Sequence, residues 1–309
     1  MRRLFFVGDP IPLRRVLSNL GDQSLTLMGI ASDNPAARGL ADQLNLPLWP
    51  NRDINGEAFL GHLSANPPDL IFNYNATTLF GAALLAVPKD GCVNIHPGPL
   101  PRYAGLNVHQ WGIINGEKIF GVTAHMMERG IDTGDGVGEV EVPILAEDTG
   151  LTLHLKLLKA GAELVESVLC QYGRSGLPAR TPQDLSARRY YGRDTPHGGR
   201  VSPTWPVHRV INFVRALSYR PMLSPTGPAL FGFGPQAEIE IVKVSHCDGK
   251  GGAPGRVLSL DPFMVEFTDG CVRVEKIHID GVVDPSEKIL RRWGIDVGSH
   301  LISPGGPPI

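Results

Sequence analysis

The chain has 309 residues, 42% of them apolar and 19% charged, which fits a folded globular protein and excludes a disordered one. A formal charge of -2 excludes a global basic field of the kind that gathers nucleic acid or anionic membrane. The length holds two domains, and 37 glycines with 27 prolines predict many turns.

Residues 4–7 read as a first buried strand ending at Gly8-Asp9-Pro10, where a dinucleotide site would want G-x-G-x-x-G. An NAD-dependent oxidoreductase is therefore disfavoured. Leu13, Val16, Leu17 and Leu20 recur at helical spacing after Pro12, residues 25–31 form a second strand, and Ala37, Leu40, Ala41 and Leu44 mark a second helix. A helix around 59–63, a strand at 69–74 and a helix at 80–86 follow, and this alternation predicts a parallel α/β sheet. Asn73 and Asn75 end the 69–74 strand, either edging a ligand pocket or serving turn chemistry. Residues 107–114 read as a helix with His109, Gln110 and Trp111 on it, and 120–126 and 137–142 as strands. In the first of these, Thr123 and His125 alternate against apolar neighbours. A long helix over 151–170 is expected to turn Leu155, Leu158, Ala162, Val165 and Leu169 inward, leaving His154 at the surface or at a cap.

The alternation then stops. Residues 171–204 are rich in glycine and proline, a linker by composition. They also carry Arg180, Arg188, Arg189, Arg193 and Arg200 with Tyr190 and Tyr191, either contacts for a phosphorylated acceptor or solvated arginines laid over the first domain. A helix over 204–219 precedes short β runs at 229–233, 237–244, 255–260, 264–267 and 271–279, the pattern of a small open barrel. Such a barrel also admits a non-catalytic oligonucleotide binder, but its stacking candidates Phe231, Phe233, Phe263 and Phe267 read more readily as core. Cys92, Cys170, Cys247 and Cys271 show no CxxC or zinc-ligand spacing, so no metal is expected. No apolar run nears the ~20 residues that span a bilayer, and no cleavable leader is read after Met1. These features point to a reducing cytoplasm and no membrane partner.

The chemistry concentrates in Cys92-Val93-Asn94-Ile95-His96, a strand that the following Pro97, Pro99 and Pro101 terminate. Asn94 and His96, two apart, share one face. A second polar cluster, Gly130-Ile131-Asp132-Thr133-Gly134-Asp135, is a loop. Amide, imidazole and carboxylate together suit acyl transfer to an amine: an oxyanion donor, a proton carrier and an orienting charge.

Asn94-x-His96 followed by Pro-Gly-x-Leu-Pro-Arg-Tyr and then Gly-Ile-Asp-Thr-Gly-Asp resembles the folate-dependent formyltransferases, down to the 38-residue step from Asn94 to Asp132. The resemblance implies a Rossmann-like α/β catalytic domain with a mostly parallel sheet over 1–180, a linker over 181–203 and a small OB-like β-barrel domain over 204–309. It implies 10-formyltetrahydrofolate as donor, with Asn94, His96 and Asp132 catalytic. Ala83, Leu85, Val87, Cys92, Gly130, Ile131 and Asp132 would line the pterin site, and Asn73, Asn75, Arg102, Tyr103 and Gln110 the acceptor site. One branch of the family acts on methionyl-tRNA through a long basic loop after the second strand and an arginine after Arg-Tyr. Here residues 31–38 are short and almost uncharged and the arginine is Ala104, so a small or carrier-tethered amine is favoured, such as an amino sugar nucleotide, an amino acid or a hydroxylamine, and tRNA is the alternative. Oligomeric state is not legible.

Overall fold

The computed structural model describes residues 1–20, 24–234, 237–249, 252–279, 281 and 283–303; the side chain of Leu20, expected on an inner stripe, lies outside the described residues. Two compact units are present. Met1–Gly105, Ile119–Pro143 and Lys156–Tyr191 make the first, and Leu106–Lys118, Ile144–Leu155 and Gly192–Ile309 the second.

In chain order the first unit contributes β1 (Arg2–Gly8), α1 (Leu13–Leu20), β2 (Leu25–Ala31), α2 (Ala36–Leu44), β3 (Leu48–Trp49), α3 (Glu57–Ala65), β4 (Leu70–Tyr74), α4 (Ala82–Leu85), β5 (Cys92–His96) and β6 (Ala104–Gly105). After α5 (Val108–Ile114), which belongs to the second unit, come β7 (Ile119–Met126), β8 (Gly136–Pro143), the long α6 (Gly150–Ser175) and β9 (Tyr190–Tyr191). The main sheet runs β3-β2-β1-β4-β5-β7-β8. Its first five strands are parallel, and β7 and β8 turn back antiparallel. Residues 4–7 of β1 and 70–72 of β4 read as unbroken apolar runs because both faces of these central strands are buried there. The chain reverses direction of winding between β1 and β4, so the carboxyl ends of β4 and β5 sit where open α/β sheets place their ligands. One core cluster joins Phe5, Val7, Phe59, Leu63, Ile71, Leu84 and Cys92.

Local chemistry sets the connections. The turn from β2 to α2 is Ser32 to Pro35 only, closed by Asn34, whose side chain accepts from the Ala36 amide at 2.9 Å and donates to Asp9 at 3.2 Å. Thr149 and Thr152 exchange side-chain and backbone bonds to open α6. The buried stripe of α6 is Leu153, Leu157, Ala160, Leu164, Val165, Val168, Leu169 and Tyr172, and Leu155 is 54% exposed. Val165 and Leu169 are inward as spacing predicts, and the correction falls on Leu155. Leucines at 151, 153, 155, 157 and 158 allow several helical phases, and packing selects one.

In the second unit α7 (Val207–Leu217) buries Val207, Val210, Phe213, Val214, Ala216 and Leu217. It precedes β10 (Ala229–Gly234), β11 (Ala237–Cys247), β12 (Val257–Leu260), β13 (Phe263–Phe267), β14 (Gly270–His278) and α8 (Glu287–Arg292). The five strands form an antiparallel sheet ordered β10-β11-β14-β13-β12. Phe231, Phe263 and Phe267 are core. Cys247 and Cys271 lie opposite each other across β11 and β14 and are joined by a disulfide, a pairing that their sequence spacing did not suggest. His154, in the first turns of α6, is half-buried, 5.1 Å from the His109 ring. Among the described residues no helix is long and apolar enough to cross a membrane.

Candidate active site

Sheet register brings the polar residues together. Asn94 on β5 lies beside Asn73 on β4 and His125 on β7, and His96 lies beside Thr123. Because alternate residues share a face, these five side chains form two adjacent rows on one side of the sheet. Asn73 Nδ2 donates to Asn94 Oδ1 at 2.8 Å, and Asn94 Nδ2 lies 3.1 Å from His125 Nε2. The other ring nitrogen of His125 is 2.8 Å from the Met126 carbonyl, which only accepts. When His125 carries its only proton on Nδ1, Nε2 accepts from Asn94; a proton on Nε2 would instead point toward Asp132 Oδ1 at 3.5 Å. Both ends of the Asn94 amide are fixed, and its second N–H is left to donate elsewhere.

His96 is buried, and its Nε2 sits 2.6 Å from the carbonyl of Tyr103. The proton must again be on the nitrogen facing the carbonyl, which leaves Nδ1 as the lone-pair nitrogen. That Nδ1 is 3.6 Å from Asp132 Oδ2, while Asp132 Oδ1 is 3.5 Å from His125 Nε2. Burial pulls His96 below the ordinary imidazole range, outweighing the Asp132 carboxylate and the Tyr103 carbonyl, which pull upward. Burial also works to raise Asp132, but a hydrogen bond from His125, the charge His96 carries when protonated and the Gly105 amide prevail and hold it at about 2. The site thus pairs a fixed carboxylate with a neutral base whose free nitrogen faces it.

The loops around this pair are tied down. Thr123 Oγ1 donates to the Gly98 carbonyl at 2.8 Å and accepts from the Leu100 amide, fixing the proline-rich loop. The Gly105 amide donates to Asp132 Oδ2 at 2.8 Å. Gly105 has φ +101°, and a Cβ there would lie 2.1 Å from the Tyr191 carbonyl, so only glycine lets β6 pair with β9. Gly134 is equally constrained, since a Cβ would meet the Met126 carbonyl at 2.1 Å. Asp132 itself has φ 56°, in the left-handed region.

The remaining expected residues take varied places. Asn75 is exposed with φ 61°, a turn conformation at the end of β4. Arg102 is exposed, its guanidinium 5.7 Å from the Tyr103 ring centre. The Tyr103 ring is buried between Phe120 and Tyr191, so Tyr103 meets the site through its carbonyl. Gln110 belongs to the second unit and is fully buried, its amide bonded to Ser224 and Thr226. Ala83, Gly130 and Ile131 are exposed, and Leu85 and Val87 pack partly against the same core cluster that holds Cys92. Cys92 offers no polar atom: its thiol is in the core, pushed up to about 12 by burial, and its carbonyl accepts from Met127. His125 and Gln183 were not among the expected site residues. The alternation of Thr123 and His125 on their strand was the one signal for the former.

Residues 23–169 match the family model described as "Formyl transferase", a span that includes Asn94, His96 and Asp132. Similar solved structures include a sugar N-formyltransferase from Shewanella sp. (23% identity, TM-score 0.61, 81% of this chain and 100% of that one). An N-formyltransferase from Helicobacter canadensis, solved with folinic acid and dTDP-3-aminofucose, shares 17% identity at TM-score 0.64 (89% and 99%). HypX from Aquifex aeolicus, solved with tetrahydrofolic acid, shares 20% at TM-score 0.57, covering 100% of this chain and 50% of that one. An amide, an imidazole and a carboxylate brought together at the ends of an α/β sheet suit acyl transfer. The segment that holds these three residues, 23–169, is thus similar to the formyl transferase family, and the whole chain shares its fold with the N-formyltransferases just described.

Proposed function

We propose that the protein transfers a formyl group from 10-formyltetrahydrofolate to the amine of a small or carrier-tethered acceptor, such as an amino sugar nucleotide or an amino acid. The observation that carries this reading is the directional set Asn94 Nδ2, His96 Nδ1 and Asp132 on one sheet face. The folate supplies the activated formyl group. The acceptor amine adds to the formyl carbon, the bond from that carbon to the folate nitrogen breaks, and the products are the N-formyl amine and tetrahydrofolate. Asn94 donates its free N–H to the oxygen as negative charge builds there, a contribution of typically ~3 kcal/mol. His96 Nδ1 takes the proton that the attacking nitrogen sheds and returns it to the departing folate nitrogen. Asp132, ionised throughout, stabilises the transient imidazolium.

The folate fits the residues assigned to it. Exposed Ala83, Gly130 and Ile131 carry little side-chain bulk, and Leu85 and Val87 supply an apolar wall. For the acceptor, the four-residue turn at 32–35 leaves no basic insertion after β2, which supports a small acceptor over tRNA. The sugar-nucleotide complex of the Helicobacter canadensis protein supports the same choice. The antiparallel sheet over 229–278 is compatible with the OB-like reading of the C-terminal region. Calorimetry with 5-formyltetrahydrofolate, a stable donor analogue, tests the folate site: saturable one-to-one binding is expected, and no binding at millimolar ligand would end this reading.

A further inference from the structure

Residues 183–191, which composition marks as linker, bond to both sides of the His96–Asp132 pair. On the Asp132 side, Gln183 Nε2 donates to the Gly134 carbonyl at 2.5 Å and to the Asp132 carbonyl at 3.2 Å. Arg188 Nη2 donates to the Ile131 carbonyl at 2.9 Å. On the His96 side, the Ala104 amide donates to the Arg189 carbonyl and the Arg189 amide to the Pro101 carbonyl, while β6 and β9 pair. Pro101 and Ala104 flank Tyr103, whose carbonyl sets the His96 ring, and the Gly105 amide bonds Asp132. Both hydrogen-bonded neighbours of the pair are therefore anchored on one strap. Gln183 is its most concentrated point, because one amide nitrogen holds two carbonyls around a residue in left-handed backbone.

We infer that Gln183 is a positioning residue for formyl transfer, holding the 131–134 loop so that Asp132 faces His96 Nδ1. The inference rests on the formyl-transfer reading above. A turn centred on a left-handed aspartate has alternatives of similar energy, and the carbonyls of residues 132 and 134 diverge unless a donor gathers them. Displacing Asp132 by 1 Å would weaken its support of the imidazolium, and misplacement on that scale costs up to about 100-fold in rate. Gln183→Glu keeps the volume but replaces the donor with oxygens that repel both carbonyls, and Gln183→Met removes polarity altogether.

The test compares wild type, Gln183→Glu and Gln183→Met in steady-state formyl transfer across pH. Expected are a fall in kcat of about 10- to 100-fold and KM values within about threefold of wild type. The acid limb of kcat should move to lower pH by about half a unit or more, because His96 loses carboxylate support. Loss of fold alone lowers the amplitude without moving that limb, and Gln183→Asn, which keeps the amide but withdraws it by one methylene, should show the same shift at smaller amplitude. Unchanged kcat, or a reduced kcat with an unmoved acid limb, overturns the inference. Absence of transfer by wild type would instead overturn the formyl-transfer reading itself.

Discussion

The carbonyl of Tyr103 lies 2.6 Å from Nε2 of His96, and this one bond fixes which imidazole nitrogen keeps a lone pair in the neutral ring. With the proton held on Nε2, the lone pair on Nδ1 faces Asp132 at 3.6 Å. The ionised carboxylate offsets part of the cost that burial sets on protonating this imidazole.

His96→Ala and Asp132→Asn should each lower kcat by about 100- to 10,000-fold while leaving folate affinity within a few fold. In Asp132→Asn the residual activity should keep its acid limb at lower pH than wild type, since an amide cannot stabilise imidazolium. Titration calorimetry and pH–rate profiles check the two statements separately, and a wild-type kcat in either variant removes that residue from the mechanism.

Stability should fall in acid for the same reason. Asp132 is held at about 2 in the folded state, below its unfolded value, so its contribution is complete above about pH 4 and is lost as pH falls toward 2. His96, also depressed on folding, is protonated more readily in the unfolded chain, which adds a loss below about pH 6.5. Urea unfolding of wild type and Asp132→Asn at pH 7 and pH 3 should show their difference shrinking by about 1–2 kcal/mol at the lower pH. A difference independent of pH contradicts the assignment.

Gly134→Ala places a methyl group 2.1 Å from the Met126 carbonyl, an overlap only a backbone shift relieves. The 130–134 loop must then move, so folate affinity and kcat should both fall by at least about tenfold. Unaltered binding and turnover would mean that this loop contributes to neither.

Helix α6 offers a test of packing alone. Leu157→Ala empties a buried site and should cost about 2–5 kcal/mol, whereas Leu155→Ala, at an exposed position, should stay within about 0.5 kcal/mol. Equal losses would contradict the burial difference between these two positions.

The phase of α6 shows where local pattern stops being informative. Strand β5 and its Asn94 and His96 were legible because alternation and three following prolines specify both the element and its end. Asp132 was legible through the Gly-Ile-Asp-Thr-Gly-Asp loop. His125 was not, because its pairing with Asn94 depends on β5–β7 register, and an antiparallel return after a helix leaves no local mark. Gln183 was hidden for a related reason: a Gly/Pro/Arg-rich stretch reads as linker until the carbonyls it bonds are known. The Cys247–Cys271 disulfide likewise follows from the register of β11 against β14.

The central claim is folate-dependent formylation of a small amine, and a competition assay tests it most directly. Enzyme and 10-formyltetrahydrofolate are offered amino sugar nucleotides, amino acids, carrier-bound aminoacyl thioesters and methionyl-tRNA, and kcat/KM is measured for each. The account predicts transfer to at least one small or carrier-bound amine with kcat/KM well above that for methionyl-tRNA, and loss of that transfer in Asn94→Ala by about 100- to 1,000-fold. Preferential formylation of methionyl-tRNA, or no transfer to any amine, would contradict it.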